Sequence, residues 1–185
     1  MEKVTLKKDM KLSEHLASPS EAALSHSSKL DGLRLSPHFT LGEVTKTSYK
    51  TEDQNIPSRV AIENLKNLCE NWLEDLRYSY NTLYPRDCPQ EEVPLVINSG
   101  YRSPEVNKRA GGSSTSNHLT GCAVDIRVAG FEQAIRYASI LLDISDGTKR
   151  DFDELYIERN KTGSHWIHFA VRPKGNRRKI DFIKV

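Results

Sequence analysis

The chain has 185 residues, 37% of them hydrophobic, enough to bury one core and too few for two full domains. Its 27 Lys+Arg against 25 Asp+Glu leave a net charge of only +2, so the overall balance does not call for nucleic acid as a partner. No apolar run approaches the roughly 20 residues needed to cross a bilayer, which argues against membrane insertion.

Residues 1 to 34 contain no aromatic side chain and carry a Ser-rich patch (Ser18, Ser20, Ser25, Ser27, Ser28), so they are expected to form a mobile N-terminal tail ahead of one domain spanning 35–185. Met1 to Leu12 places charges where a signal peptide needs its apolar stretch. Order is expected to begin at Pro37-His38-Phe39-Thr40-Leu41-Gly42-Glu43, with a break at Asn55-Ile56-Pro57. From Ser58 to about Tyr80, Ala61, Leu65, Leu68, Trp72 and Leu76 recur at three-and-four spacing, with Ile62, Cys69 and Leu73 beside them, which predicts one helix with a buried face. Leu83 to Glu92, with Pro85 and Pro89, predicts a loop.

Val93 to Asn98 predicts a strand, and Ser103-Pro104-Glu105 a capped helix that ends at Gly111-Gly112. Cys122 to Val128 predicts a second strand, followed by a helix marked by Phe131, Ala134, Ile135, Ala138, Leu141 and Leu142. Phe152 to Glu158 and His165 to Val171 predict a final hairpin turning at Lys161-Thr162-Gly163. The basic run Arg172, Lys174, Arg177, Arg178 and Lys179 fits either a solvated tail or an attraction for an anionic polymer. The mixture points to an α+β domain built on an antiparallel sheet with flanking helices. Cys69, Cys88 and Cys122 are odd in number and lack CxxC spacing, so a disulfide framework is not expected, and Cys69 and Cys122 read as small buried hydrophobes.

The chemistry concentrates in Ser116-Asn117-His118-Leu119-Thr120-Gly121-Cys122-Ala123-Val124-Asp125. Strand alternation puts Cys122, Val124 and Ile126 on one face and Ala123, Asp125 and Arg127 on the other, so the carboxylate points away from the core. In the last predicted strand Trp166, His168 and Ala170 share a face, which presents His168 much as Asp125 is presented. Two imidazoles and one carboxylate suffice for a catalytic zinc that keeps a fourth position for water. By spacing alone, a turn histidine and a surface carboxylate fit equally well.

Four stretches carry a more specific signal: Ile97-Asn98-Ser99-Gly100-Tyr101-Arg102-Ser103-Pro104, Ser116 to Asp125, Phe152-Asp153-Glu154-Leu155-Tyr156-Ile157-Glu158, and Trp166-Ile167-His168. In this order they resemble the zinc D-Ala-D-Ala peptidases (peptidase M15-like), a family that includes phage endolysins and vancomycin-resistance dipeptidases and shares its fold with the hedgehog signalling domain. The resemblance implies a hedgehog/DD-peptidase-like fold and one zinc ion per chain, held by His118, Asp125 and His168. It also implies that Arg102 faces substrate and the developing oxyanion. Ser116 matches a serine that can hydrogen-bond the substrate backbone, although a loop-shaping hydroxyl fits as well.

Many relatives place an Asp or Glu three residues before the last histidine ligand, where this chain has His165. An odd offset along a strand turns His165 away from His168. Glu158 matches the glutamate that hedgehog-type relatives carry near zinc and is the favoured general base, with His165 a second candidate as proton donor or transition-state stabiliser. The expected function is zinc-dependent cleavage of peptidoglycan stem peptides, by a D-Ala-D-Ala carboxypeptidase or an endolysin-type endopeptidase of host, phage or prophage origin. A monomer is expected, made in the bacterial cytoplasm or a phage-infected cell and acting on the wall after release. The alternative is a zinc-stabilised binding module of the same fold without hydrolysis.

Overall fold

A computed structural model describes residues 32–52, 54–85 and 92–185. The expected tail lies almost wholly outside the described residues, as does Cys88. Its last residues are engaged: Leu33 O accepts from Leu41 N at 2.8 Å, and Arg34 bridges Thr40. Leu35 is buried, so the chain is already packed before the expected Pro37.

In chain order the elements are α1 (Leu41–Thr45), α2 (Arg59–Leu68), a π-helical turn (Cys69–Leu73), α3 (Glu74–Leu83), β1 (Ile97–Ser99), α4 (Pro104–Arg109), a 3-10 turn (Asn117–Thr120), β2 (Ala123–Arg127), α5 (Phe131–Thr148), β3 (Glu154–Arg159), β4 (His165–Ala170) and β5 (Lys179–Lys184). Three helix starts, those of α1, α2 and α4, have a local cause in a side-chain cap. Thr40 forms a capping box with Glu43, Ser58 accepts from Ala61 N, and Ser103 caps α4 ahead of Pro104.

The five strands form one sheet in the order β1-β2-β4-β3-β5, antiparallel except for the β3–β5 pair. The architecture is α+β, with helices on one face of a mostly antiparallel sheet. Two elements depart from expectation: β1 spans only Ile97–Ser99 instead of Val93 to Asn98, and the chain carries a fifth strand. The basic run at the end of the chain is not a tail: it leads into β5, which pairs in parallel with β3, Glu154 opposite Lys179 and Arg159 opposite Lys184.

The strands' core faces (Val124, Ile126, Leu155, Ile167, Phe169) pack on Leu65, Leu68, Trp72, Leu73 and Leu76 from α2 to α3 and on Ala134, Tyr137, Ile140 and Leu141 from α5. Trp72 packs within 5.1 Å of Phe169 and 6.4 Å of Phe152 between ring centroids. Burying each such large side chain stabilises the fold by roughly 1.5–3 kcal/mol. Cys69 belongs to this core, and burial together with nearby Glu74 pushes its thiol pKa up to about 12; Cys122 is also buried and free. The opposite face of the sheet carries Asp125, His168, Glu154, Tyr156, Glu158 and Trp166, and it positions the site.

Candidate metal centre and active-site cleft

Two glycines of the sequence motifs have steric causes. Gly121 closes the 3-10 turn at φ +70°, and a Cβ there would stand 2.4 Å from the Ala61 carbonyl oxygen. At Gly100 a Cβ would meet the Val44 carbonyl oxygen at 2.1 Å, and Tyr101 N donates to that same oxygen at 2.8 Å. Backbone therefore lies directly against backbone on both sides of the site. Asn55, 3% exposed, ties the Arg102 loop down: its Oδ1 accepts from Ser103 N at 2.7 Å and its Nδ2 donates to the carbonyls of Thr45 and Tyr101.

His118 enters from the 3-10 turn, whose N-cap is Ser116: the hydroxyl oxygen accepts from His118 N at 3.3 Å. Asp125 and His168 face each other in the β2–β4 register. All three are buried, and one donor atom from each lies within 4.8 Å of the others. Asp125 Oδ1 is 3.3 Å from His118 Nε2 and 3.0 Å from His168 Nδ1. The outer ring nitrogens are occupied: His118 Nδ1 is 2.6 Å from the Gly100 carbonyl, and His168 Nε2 is 3.3 Å from Glu154 Oε2. Imidazoles tied through one nitrogen and converging through the other on a carboxylate are the donor arrangement a metal site requires, so the residues fit an ion of the zinc type.

The charges follow from this geometry. Burial opposes ionisation of Asp125, but the facing His118 and His168 imidazoles outweigh it and hold the carboxyl well below the usual carboxylate range. Burial would lower the His168 pKa, yet the acceptors Asp125 and Glu154 raise it to about 9. Glu154 falls to about 2, chiefly through its hydrogen bond with His168. Glu158 is pushed up, mainly by burial.

Arg102 donates from Nε to Ser99 Oγ at 2.8 Å and from Nη2 to Asp125 Oδ2. With Ser116, His118, Asp125, His168, Glu158 and Trp166 it lines a cleft of about 320 Å³, walled by Gly111 and Gly112. Glu158 stands opposite Trp166 in the β3–β4 register. His165 is not brought to this cleft: it packs on the other face of the sheet, its ring centroid 5.2 Å from Phe131 and 6.5 Å from Phe182.

A family model described as Peptidase M15 matches residues 37–153, well over half of the chain. The chain belongs to the peptidase M15 family. M15 peptidases are zinc enzymes that hydrolyse peptide bonds, and the buried His118-Asp125-His168 group of this M15 chain could bind a metal. The matched stretch includes Arg102, Ser116, His118 and Asp125 and stops before Glu158, Trp166 and His168. These three are joined to it by strand register. No curated protein matches the chain.

Sequence reasoning passed over three residues next to the histidines, namely Glu154, Asn117 and Tyr156. Glu154 shares strand parity with Glu158, which was a usable signal. Asn117 was identifiable only as the neighbour of His118. Tyr156 stacks on His168 with centroids 5.5 Å apart and planes 17° from parallel. No helix among the described residues is long and apolar enough to cross a membrane.

Proposed function

We propose that this chain is a zinc-dependent metallopeptidase that cleaves stem peptides of peptidoglycan, as a D-Ala-D-Ala carboxypeptidase or an endolysin-type endopeptidase, and works as a monomer. The observation that carries the proposal is one cleft that joins a buried His118-Asp125-His168 donor set to a carboxylate, Glu158, and a fixed cation, Arg102. His118 Nε2, Asp125 Oδ1 and His168 Nδ1 would hold the ion. Bound there, zinc supplies Lewis-acid polarisation of the scissile carbonyl and activates water.

The chain's own groups do the rest. Glu158 accepts the proton of the attacking water and returns it to the leaving amine nitrogen. Its burial raises its proton affinity above that of an ordinary carboxylate. Arg102 spends Nε and Nη2 on Ser99 and Asp125, so its guanidinium is held as a rigid fork whose remaining N–H groups can stabilise the oxyanion or a substrate carboxylate. Ser116 holds the His118 turn with its oxygen lone pair and keeps its hydroxyl proton for a substrate carbonyl. His165 takes no part, because the sheet separates it from these groups.

The test is incubation of zinc-loaded protein with purified peptidoglycan, followed by mass spectrometry of the released peptides. Loss of a terminal D-alanine or scission of an internal bond supports the proposal and identifies the bond. Full inactivity of the zinc-bound protein on every wall peptide would favour a binding module instead.

A further inference from the structure

His168 is held from behind by a cluster of side chains that takes no direct part in the cleft. Glu154 opens β3, on the same face as Glu158 but two residue pairs away from it, and does not line the cleft. Its Oε2 accepts from Asn117 Nδ2 at 2.9 Å and lies 3.3 Å from His168 Nε2, while Oε1 accepts from Arg177 Nη2.

The clamps are fixed in their turn by Asp153, whose side chain is 0% exposed. Asp153 Oδ2 accepts from Asn117 Nδ2 at 2.8 Å, and its two oxygens take Arg177 Nε at 2.8 Å and Nη2 at 2.7 Å. A guanidinium and an amide NH₂ can only donate. The Glu154 oxygens are therefore committed as acceptors, and the His168 nitrogen that meets them has to be the donor. Tyr156 stacked on the imidazole, with Lys179 Nζ 5.2 Å over the Tyr156 centroid, opposes rotation of the ring.

We infer that Glu154, clamped by Asn117 and Arg177, is a positioning residue that keeps the ring proton of His168 on Nε2 and so presents the Nδ1 lone pair beside Asp125 Oδ1 and His118 Nε2. The inference rests on the metal-site proposal above. It gives β5 and the segment before it a purpose, since Arg177 reaches Glu154 only because the chain returns alongside β3. Asn117 extends the same support to the turn that carries His118.

The experiment uses the full chain and compares zinc affinity, by competition against a chelator of known affinity, with the His168 Nε2–H signal of the zinc-loaded protein in ¹H–¹⁵N NMR. Glu154→Ala is expected to weaken zinc binding about 10- to 100-fold, the range for losing such an outer partner, and to abolish exchange protection of that proton. Glu154→Gln keeps an acceptor oxygen but turns an NH₂ toward donors, so it should fall between the parent and Glu154→Ala. If Glu154→Ala does not fold, Arg177→Gln, at a half-exposed position, is expected to weaken zinc binding in the same direction. Parent-like affinity with a protected Nε2–H in Glu154→Ala, or parent-like affinity in Arg177→Gln where that variant stands in, would overturn the inference. Failure of the parent itself to bind zinc would instead overturn the metal-site proposal on which it rests.

Discussion

Asp125 and His168 stand directly opposite each other in the β2–β4 ladder, with Oδ1 and Nδ1 3.0 Å apart. A sheet rung thus sets two of the three donors before any ion arrives, and His118 completes the set from a turn pinned by Gly121. One zinc per chain is expected, and His118→Ala or His168→Ala should abolish binding, since two remaining ligands hold the ion too weakly. Metal analysis of the purified variants checks this; undiminished zinc in both would refute the ligand set.

His165 differs from His168 by an odd offset, and the strand turns it onto Phe131 and Phe182. His165→Ala should leave kcat within about threefold of the parent, far from the roughly 10²-fold or larger losses caused by removing a positioned general base or acid. Steady-state kinetics decides, and a loss of that larger size would return His165 to the catalytic machinery.

Arg102 bridges Ser99 and Asp125 with two edges of one guanidinium, a geometry that a lysine ammonium cannot reproduce. Arg102→Lys is expected to lower kcat/KM on the order of 10²-fold, as for loss of an oxyanion donor, with zinc content unchanged. Parent-like kinetics in the lysine variant would show that charge alone suffices.

Glu74 anchors the segment ahead of α1: it accepts from Ser36 Oγ at 2.7 Å and His38 N at 2.8 Å and pairs with His38 Nδ1 at 2.7 Å. Burial opposes its ionisation, but the hydrogen bonds from Ser36 and His38 outweigh it and lower the pKa. A depressed folded-state pKa contributes stability that is present above the unfolded carboxyl value near 4.5 and lost as pH falls through the lower folded value. Glu74→Gln should therefore cost about 1–2 kcal/mol near neutral pH, and the difference from the parent should shrink in acid. Thermal melts across pH test this; a difference that does not vary with pH would contradict it.

Periodicity made part of this architecture legible and left part hidden. The Ala61 to Tyr80 stripe is a local pattern, and so is the alternation that points Asp125 and His168 away from the core. The segment Lys179-Ile180-Asp181-Phe182-Ile183-Lys184 also alternates over its first four residues, but the basic run before it suggested a tail, and a parallel partner 25 residues upstream leaves no local mark. The support for His168 stayed hidden for the same reason, because Asn117, Glu154 and Arg177 meet only through the tertiary fold. Asn55 was read as a break in the chain, whereas its side chain bridges two loops, a role that depends on where those loops lie in space.

The most direct measurement compares zinc-loaded parent and zinc-loaded Glu158→Gln on the same purified peptidoglycan, with metal content and released peptides quantified together. The expected result is one zinc per chain in both proteins and a kcat at least about 10²-fold lower in the variant, with the parent's acid limb following a carboxylate-like pKa. Full activity in Glu158→Gln at equal zinc content would contradict the assignment of Glu158 as the base.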